Sequence, residues 1–402
     1  MSEWKPYKLD EIATKLGDGL HGTPKYDDAG EYYFINGSNL VNGKIVIHSN
    51  TKRVTHEEYN KYKKDLSDRT ILLGINGTIG NVALFNNEKC ILGKSACYIN
   101  VDNKFDKQFI KYVLLSDDFQ NYIKTNATGT TIKNVGLKLI REYEALIPDD
   151  INHQSEIASI LSSLDDKIEL NLQMNQTLEA TAQAIFKEWF VNFNFPGFDG
   201  ELVHDLPKGW TEVSLKDFGK IICGKTPSKA VDEYFGGEYM FLKIPDMHNS
   251  VFVIETTDTL TNDGLQSQPN KTLPPFSICV SSIATVGLVC MNPVPCQTNQ
   301  QINSIVPSEP FLKYYLFFLT KSMKDTFVAT ASGGTATLNM NTSQFSNLKA
   351  VKPEDDLLLQ FDEIVSPMME RILANEYEIK SLTQIRDSLL PKLMTGKIEI
   401  QA

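Results

Sequence analysis

Short loops rich in glycine, threonine, serine and lysine are the features of this sequence whose residue types could bind a ligand. They occur in pairs, and TGTTIKN at Thr128–Asn134 returns as GGTATLN at Gly333–Asn339. Glycine lets the backbone approach a phosphate closely, and hydroxyl, amide and backbone N–H groups donate hydrogen bonds to phosphate oxygens. The loops therefore predict phosphate contacts, although each loop taken alone is more typical of a turn.

The candidate phosphate-binding residues lie in these loops and in the clusters of basic residues beside them. The first half of the chain contributes Thr23, Lys25, Lys52, Arg53, Thr78, Gly129, Thr130, Thr131 and Lys133. The second half contributes Lys225, Thr226, Ser228, Lys229, Ser281, Ser282, Thr285, Gly334, Thr335, Thr337 and Asn339. Any single lysine among them is typical of a solvated surface, so the prediction depends on the repetition of the loops.

The sequence lacks the motifs that bind or activate substrates in common enzymes. It contains no G-x-x-x-x-G-K-[ST] phosphate loop, no G-x-S-x-G elbow and no H-E-x-x-H helix. The string NPVP at Asn292 lacks the aromatic residue of a methyltransferase tetrapeptide, and the six cysteines form no C-x-x-C pair. No histidine is placed to complete a zinc site. We predict a non-catalytic chain with no cofactor or metal of its own.

The composition indicates a cytoplasmic protein that does not enter a membrane. Apolar residues make up 42% of the chain and charged residues 22%, as in ordinary soluble domains. The N-terminal residues include no apolar signal-peptide segment. The most apolar run, Phe311–Leu319, is much shorter than the roughly 18 residues that a membrane span requires.

An internal repeat determines where the paired loops lie. GEYYFI at Gly30–Ile35 returns 207 residues later as GEYMFL at Gly237–Leu242. Each copy begins with short β-branched and aromatic runs mixed with amphipathic stretches, and each ends with one long helical pattern. We therefore predict an α+β fold with an internal two-fold repeat. Its parts are a first globular domain at 1–150, a long helix at 151–195, a second globular domain at 196–352 and a second long helix at 353–402.

Both long helical patterns carry a heptad seam, which predicts that they pack as a coiled coil. Asparagines fall within the seam of both helices, where a buried amide would fix the register; a solvated position slightly out of phase is the alternative. Pro367 predicts a restart or kink in the second helix, with Ser366 as its cap. The seam residues are Ile157, Leu161, Leu164, Ile168, Asn171, Asn175 and Leu178 in the first helix and Met368, Ile372, Asn375, Ile379 and Leu382 in the second.

The formal net charge of −11 is concentrated on the long helices. Residues 151–199 and 353–402 each carry a net charge of −5, whereas residues 1–150 are neutral and residues 200–352 carry −1. The globular domains can therefore hold local basic faces, which phosphate binding requires.

Several segments resemble the specificity (S) subunits of type I restriction-modification systems. LEATAQAIFKEWFVNFNFPGF at Leu178–Phe198 resembles the end of the first spacer helix of that family, and SLLPKLMTGKIEI at Ser388–Ile400 resembles its C-terminal helix end. GKTPS, GTIGNVAL and TGTT resemble motifs of the family's target recognition domains. The resemblance covers essentially the whole chain.

The resemblance implies a non-enzymatic role in reading double-stranded DNA. Each globular domain would recognise one half of a bipartite site, and the two helices would pair antiparallel and hold the domains apart. Two methyltransferase subunits would bring S-adenosylmethionine, and restriction subunits would bring the ATP- and Mg²⁺-dependent chemistry. The candidate phosphate-binding residues then become candidate DNA-binding residues. Ala284, which stands where the first repeat has Gly77, leaves one backbone contact open to question.

Two further features of the sequence leave alternatives open. Apolar clusters at the helix ends suit docking of partner subunits, or equally packing of each helix against its own domain; they are Phe186, Trp189, Phe190, Leu389, Leu390 and Leu393. The acidic helices also allow a different class of function, a non-enzymatic interaction protein or DNA-mimicking inhibitor.

Overall fold

A computed structural model describes residues 3–332 and 337–398 of the chain. These residues form two compact units. Unit 1 combines the residues up to Lys167 with those from Ser381 onward, and unit 2 runs from Ile168 to Lys380. Each unit therefore contains one globular part and segments of both long helices, a division that differs from the four consecutive parts expected from the sequence.

Unit 1 is built around a four-stranded sheet with the order β2-β10-β7-β8, accompanied by a three-stranded sheet with the order β6-β3-β9. Strands β1 and β11 form a separate antiparallel pair, as do β4 and β5. The strands are β1 (Trp4–Lys8), β2 (Ala13–Asp18), β3 (Tyr32–Ile35), β4 (Leu40–Val41), β5 (Lys44–Ile45), β6 (Arg53–Val54), β7 (Thr70–Gly74), β8 (Val82–Leu84), β9 (Cys90–Leu92), β10 (Ala96–Val101) and β11 (Glu144–Pro148). The short helices are α1 (Leu9–Ile12), α2 (His56–Tyr62), α3 (Lys107–Leu115), α4 (Asp117–Thr125) and α5 (Leu137–Glu142).

Unit 2 repeats these sheets in the orders β15-β21-β18-β19, β17-β16-β20 and β14-β22. Strands β12 and β13 form an additional antiparallel pair. The strands are β12 (Leu202–Val203), β13 (Leu206–Pro207), β14 (Thr211–Ser214), β15 (Gly219–Cys223), β16 (Phe235–Leu242), β17 (Thr259–Leu260), β18 (Ile278–Ser281), β19 (Val289–Met291), β20 (Cys296–Thr298), β21 (Ile302–Pro307) and β22 (Lys349–Lys352). The short helices are α7 (Asn262–Gln266), α8 (Leu312–Ser322), α9 (Lys324–Ala331) and α10 (Thr342–Asn347).

The central strands of both units are buried on both faces. Strand β7, with the sequence TILLG, and strand β10, with ACYINV, have no exposed residue, as expected for β-branched and apolar runs covered by helices on one side. Strand β18, at the matching place in unit 2, is also buried throughout. The equal strand orders confirm the predicted internal repeat and the α+β fold.

The two long helices are continuous: α6 is Ile151–Phe190 and α11 is Asp355–Leu393. The predicted restart at Pro367 is wrong, because α11 passes through this exposed proline and Ser366 Oγ bonds Asp362 instead of capping a helix. A proline inside a helix costs about 3 kcal/mol. Val365 and Met369 on either side of it are fully buried, and we attribute the continuity of the helix to their packing.

The seam asparagines of unit 2 are buried and bonded across the helix pair. The amide of Asn375 donates to Asn175 Oδ1 over 2.8 Å, and Asn175 donates to Glu376 over 2.8 Å. Asn171 donates to Glu378 over 2.9 Å. Since an amide needs its partner at a fixed height along the helix, these bonds favour one antiparallel register.

The other residues assigned to the seam are all buried or half-buried. Buried members are Ile157, Leu161 and Ile372; half-buried members are Leu164, Ile168, Leu178, Met368, Ile379 and Leu382. In the part of the chain that the structure describes, no helix is long and apolar enough to cross a membrane.

Candidate nucleic-acid interface

In unit 1, three turns meet at one end of the four-stranded sheet. The turn between β7 and β8 bonds the turn between β9 and β10 through Ile75 N and Ser95 O, 2.9 Å apart. The TGTTIKN segment closes the group, since Val135 N donates to Ile75 O over 2.9 Å and Gly77 N donates to Lys133 O over 3.3 Å. Turns that are far apart in the sequence thereby form one surface.

TGTTIKN is a hairpin whose tip faces solvent. Thr128 and Asn134 exchange backbone hydrogen bonds of 2.9 and 2.7 Å. Gly129 has a φ of 98°, and a side chain there would meet Ile132 O at 2.4 Å, so the turn requires glycine. The exposed residues at the tip are Gly129, Thr130, Thr131, Ile132 and Lys133. The segment thus serves as a turn and also presents its hydroxyl and ammonium groups outward.

Unit 2 repeats this arrangement with a different residue at the critical turn. Ala284 adopts a φ of 62°, close to the 74° of Gly77, and its N–H donates to Leu338 O over 3.0 Å. Met340 N donates to Ser282 O over 2.9 Å. Ala284 therefore keeps the intramolecular backbone bond that Gly77 makes in unit 1, although alanine is strained in the left-handed region.

Apart from Ser281 and Ser282, the remaining loop candidates fall into three groups. Those with exposed side chains are Thr23, Lys25, Lys52, Arg53, Thr78, Lys225, Ser228, Lys229, Thr285, Thr337 and Asn339. Thr226 is half-buried and donates to Gln300 over 2.9 Å. Gly334 and Thr335 lie outside the described residues.

Ser281 and Ser282 require a correction, because their side chains cannot reach a ligand. Both are buried, with exposures of 0% and 1%. Ser281 Oγ accepts Leu288 N over 2.9 Å, and Ser282 Oγ accepts the amide of Asn303 over 2.9 Å. These hydroxyls shape the turn from inside.

The helix-end aromatic residues that were candidates for partner docking pack within unit 2 instead. Phe190 lies 5.0 Å from Phe361 and 4.9 Å from Tyr315, measured between ring centroids. Phe186 and Trp189 also contact Phe361, and all three candidates are at most 9% exposed. The end of α6 thus packs against α11 and the globular part of unit 2, whereas the alternative left open by the sequence was the domain that precedes this helix in its own repeat.

The leucines at the other helix end behave similarly in unit 1. Leu393 is buried in the unit 1 core, and Leu389 and Leu390 are half-buried against the same core. The Leu393 side chain is thereby used inside the chain, whereas docking by the half-buried Leu389 and Leu390 stays a prediction.

An ionic network in unit 1 that the sequence motifs did not reveal joins α3 to both long helices. Asp165 accepts hydrogen bonds from Tyr112 Oη at 2.6 Å, Lys111 Nζ at 3.2 Å and Arg386 at 3.0 Å. Burial alone would raise the pKa of Asp165, but these hydrogen bonds and the charge of Lys111 hold the pKa below its usual value. The repeated pair Lys111-Tyr112 and Lys313-Tyr314 was the feature of the sequence that could have indicated this network.

The fold defines the class of this protein as a duplicated α+β chain with two long helices and the same turn surface in both copies. Residues 1–180 and 207–354 match the family described as the type I restriction modification DNA specificity domain. The chain belongs to this family.

Individual relatives agree with this assignment. The chain is 34% identical to the specificity subunit of the type I restriction enzyme HindI of Haemophilus influenzae, over 99% of this chain and 100% of that protein. It is 26% identical to the MjaIX specificity subunit of Methanocaldococcus jannaschii, over 99% and 94%. The family resemblance and the assignment as a specificity subunit rather than an enzyme are confirmed.

A solved structure supports the fold alone. The crystal structure of a type I restriction-modification S subunit from M. genitalium superposes with a TM-score of 0.64 and 18% identity, covering 100% of this chain and 97% of that one.

Proposed function

We propose that this chain recognises a bipartite DNA site, with one half-site read by the globular part of each unit. The observation that carries the proposal is the turn surface, which occurs once in each unit with equivalent backbone hydrogen bonds. Exposed threonine, serine and lysine side chains surround it in both units, and such groups donate to phosphate oxygens. Two separate surfaces of this kind suit two separate half-sites.

The chain would act within a complex. We expect it to hold two methyltransferase subunits, joined by restriction subunits, in the cytoplasm. S-adenosylmethionine, ATP and Mg²⁺ would be bound by those partners. The long helices carry most of the negative charge, which makes them poor DNA contacts and leaves them for protein contacts.

A domain exchange tests whether each globular part recognises its own half-site. Residues 205–350 are replaced by the corresponding segment of another specificity subunit, and the complex with methyltransferase subunits is tested for methylation by sequencing its modified DNA. We expect one half-site to change and the other to stay. Two unchanged half-sites would contradict the proposal, and a complex without any DNA affinity would favour the DNA-mimic alternative.

A further inference from the structure

The turn between β9 and β10 of unit 1 holds Lys94 at its tip. Ala96 N donates to Gly93 O over 3.0 Å and closes the turn. Ser95 O accepts Ile75 N over 2.9 Å and ties the turn to its neighbour. With both flanks fixed, the exposed Lys94 side chain projects from a rigid position beside the candidate DNA-binding loops.

The turn between β20 and β21 of unit 2 has the same frame with Gln300 at the tip. Ile302 N donates to Asn299 O over 3.2 Å, and Gln301 O accepts Ser282 N over 2.8 Å. Gln300 is exposed like its counterpart in unit 1. The backbone hydrogen bonds that hold the turn are thus the same in both units, whereas the residue at its tip differs. We infer that the bonds have a structural role and that the tip residue is free to vary.

A third backbone contact to this turn comes from the loop that follows β2 in unit 1 and β15 in unit 2. Leu20 N donates to Leu92 O over 2.7 Å in unit 1, and Lys225 N donates to Thr298 O over 2.9 Å in unit 2. The frame therefore has three matching backbone contacts, which fix the start of each side chain with respect to its own sheet.

In unit 2 the side chain itself is also oriented. Thr226 Oγ1 donates to Gln300 Oε1 over 2.9 Å. The loop that carries Thr226 is held from below by a buried amide network, in which Gln268 donates to Lys225 O over 2.6 Å and to Gln297 over 2.9 Å. Preorganisation of this kind lowers the entropy lost when a side chain binds a ligand.

Lys94 offers a different chemistry from the same point. In the part of the chain that the structure describes, no carboxylate forms a salt bridge with it. A lysine donates to the O6 and N7 acceptors of guanine, whereas a glutamine pairs with N6 and N7 of adenine. The amide of Gln300 presents a donor and an acceptor side by side, a pair that a base edge matches and that a phosphate, which only accepts, does not, so its fixed orientation points to a base edge.

We propose that Lys94 and Gln300 are base-reading side chains, Lys94 selecting guanine at one position of the half-site of unit 1 and Gln300 selecting adenine at one position of the half-site of unit 2. This inference rests on the proposed function, and it assigns specificity to two residues that no motif marked. The surrounding threonines and lysines then serve to position the backbone of the DNA.

The test exchanges the two tips in the complete methyltransferase complex. Gln300→Lys and Lys94→Gln complexes are incubated with S-adenosylmethionine and DNA duplexes in which each base pair of the recognised site is varied singly. We expect Gln300→Lys to shift one position of one half-site from adenine to guanine, and Lys94→Gln to make the reverse shift in the other half-site. A good base contact discriminates by roughly 5- to 150-fold, which sets the size of the shift.

Two further variants make the outcome decisive. Gln300→Ala should relax the preference at that same position, and Gln360→Lys, which adds the same charge at an exposed site of α11, should leave every preference unchanged. The inference is overturned if the tip variants keep the wild-type preference, or if they lower methylation uniformly, as a phosphate contact would. If the wild-type complex recognises no site, the proposed function fails instead.

Discussion

The two units attach the long helices to their globular parts with different chemistry. In unit 1, Lys111 and Tyr112 of α3 meet the carboxylate of Asp165 in a partly buried ionic network. In unit 2, Lys313 at the matching place bonds Asp362 over 3.1 Å. Lys321 of α8 also pairs with Glu179 of α6, and a cluster of aromatic rings surrounds Phe361 beside these ion pairs. The repeated fold thus preserves the contact between elements while the residues that form it change.

This difference has a consequence for how each unit responds to its environment. Aromatic packing depends on buried area and is insensitive to pH, whereas an ionic network depends on the charge state of its members. The contribution of the ionic network in unit 1 can therefore be distinguished from that of the aromatic cluster in unit 2 by mutation and by pH. The sheets of the two units have the same strand order.

The largest effect is expected for Phe361→Ala. Phe361 is fully buried and contacts Phe186, Trp189, Phe190 and Phe318, so its removal leaves a cavity. We expect unit 2 to lose about 4 kcal/mol of unfolding free energy. Hydrogen exchange followed by mass spectrometry would report the loss in unit 2 peptides, with Leu359→Ala, 43% exposed on the same helix, as the control. Equal losses for both variants would contradict the aromatic anchor.

A somewhat smaller effect is expected for Asp165→Asn. The substitution leaves Lys111, which is only 6% exposed, without its counter-charge. Breaking one partner of a buried pair costs about 3 kcal/mol, and partial exposure of Asp165 reduces this. Hydrogen exchange of unit 1 peptides, followed by mass spectrometry at increasing denaturant concentration, would measure the loss of unfolding free energy. The exposed neighbour Asp166→Asn is the matched control, and a similar loss for that variant would argue against the network.

The contributions of Asp165 in unit 1 and Glu376 in unit 2 are expected to depend on pH with opposite signs. The pKa of Asp165 is depressed, so its contribution to unit 1 is present above the unfolded pKa and lost as pH falls through the folded pKa. In unit 2, the pKa of Glu376 is raised, because the effect of burial exceeds the opposite effect of the hydrogen bond from Asn175. Ionised Glu376 therefore costs stability, and the cost develops as pH rises above the unfolded pKa.

Glu376→Gln isolates this cost. We expect the variant to stabilise unit 2 at neutral pH, by less than the loss from Asp165→Asn, and to match the wild type at pH values below the unfolded pKa. Urea unfolding at several pH values would measure it. Glu370→Gln, on an exposed face of the same helix, serves as control. A gain that is independent of pH would show that removal of the charge is not the cause.

The smallest effects concern the matching turns. Gly77 and Ala284 both have positive φ, so Gly77→Ala should cost unit 1 about 1 kcal/mol. Ala284→Gly should gain a similar amount, because it is the reverse exchange at the equivalent position and the entropy of the unfolded chain enters both exchanges equally. Thermal unfolding would measure both, and Gly136→Ala, at a φ of −71° with open space around it, should be neutral. A neutral Gly77→Ala would remove the strain argument.

Patterns of spacing predicted much of this fold, because period and repetition are properties of sequence. The heptad seam placed Asn175 and Asn375 in the two helices, and the structure joins them directly. The copied segments predicted a duplicated fold, and both units share one strand order. These features depend on the arrangement of residue types along the chain, which is visible before folding.

Residue type alone failed where burial decides the role. Ser281 and Ser282 have the hydroxyls of a phosphate loop but lie inside the turn, because the end of β18 is covered on both faces. Phe186 and Phe190 have the composition of a docking surface, yet other residues of unit 2 cover them. Pro367 would end an isolated helix, and tertiary packing on either side of it overrides that tendency.

The division of each long helix between the units has a consequence for synthesis of the protein. Leu393 and Met394 belong to the core of unit 1, together with residues such as Leu9 and Ile157. A ribosome makes them only after the whole of unit 2 has been translated. The core of unit 1 therefore stays partly uncovered until the end of translation, whereas all residues of unit 2 are made before that point. The unit whose synthesis begins first is thus the last to be completed.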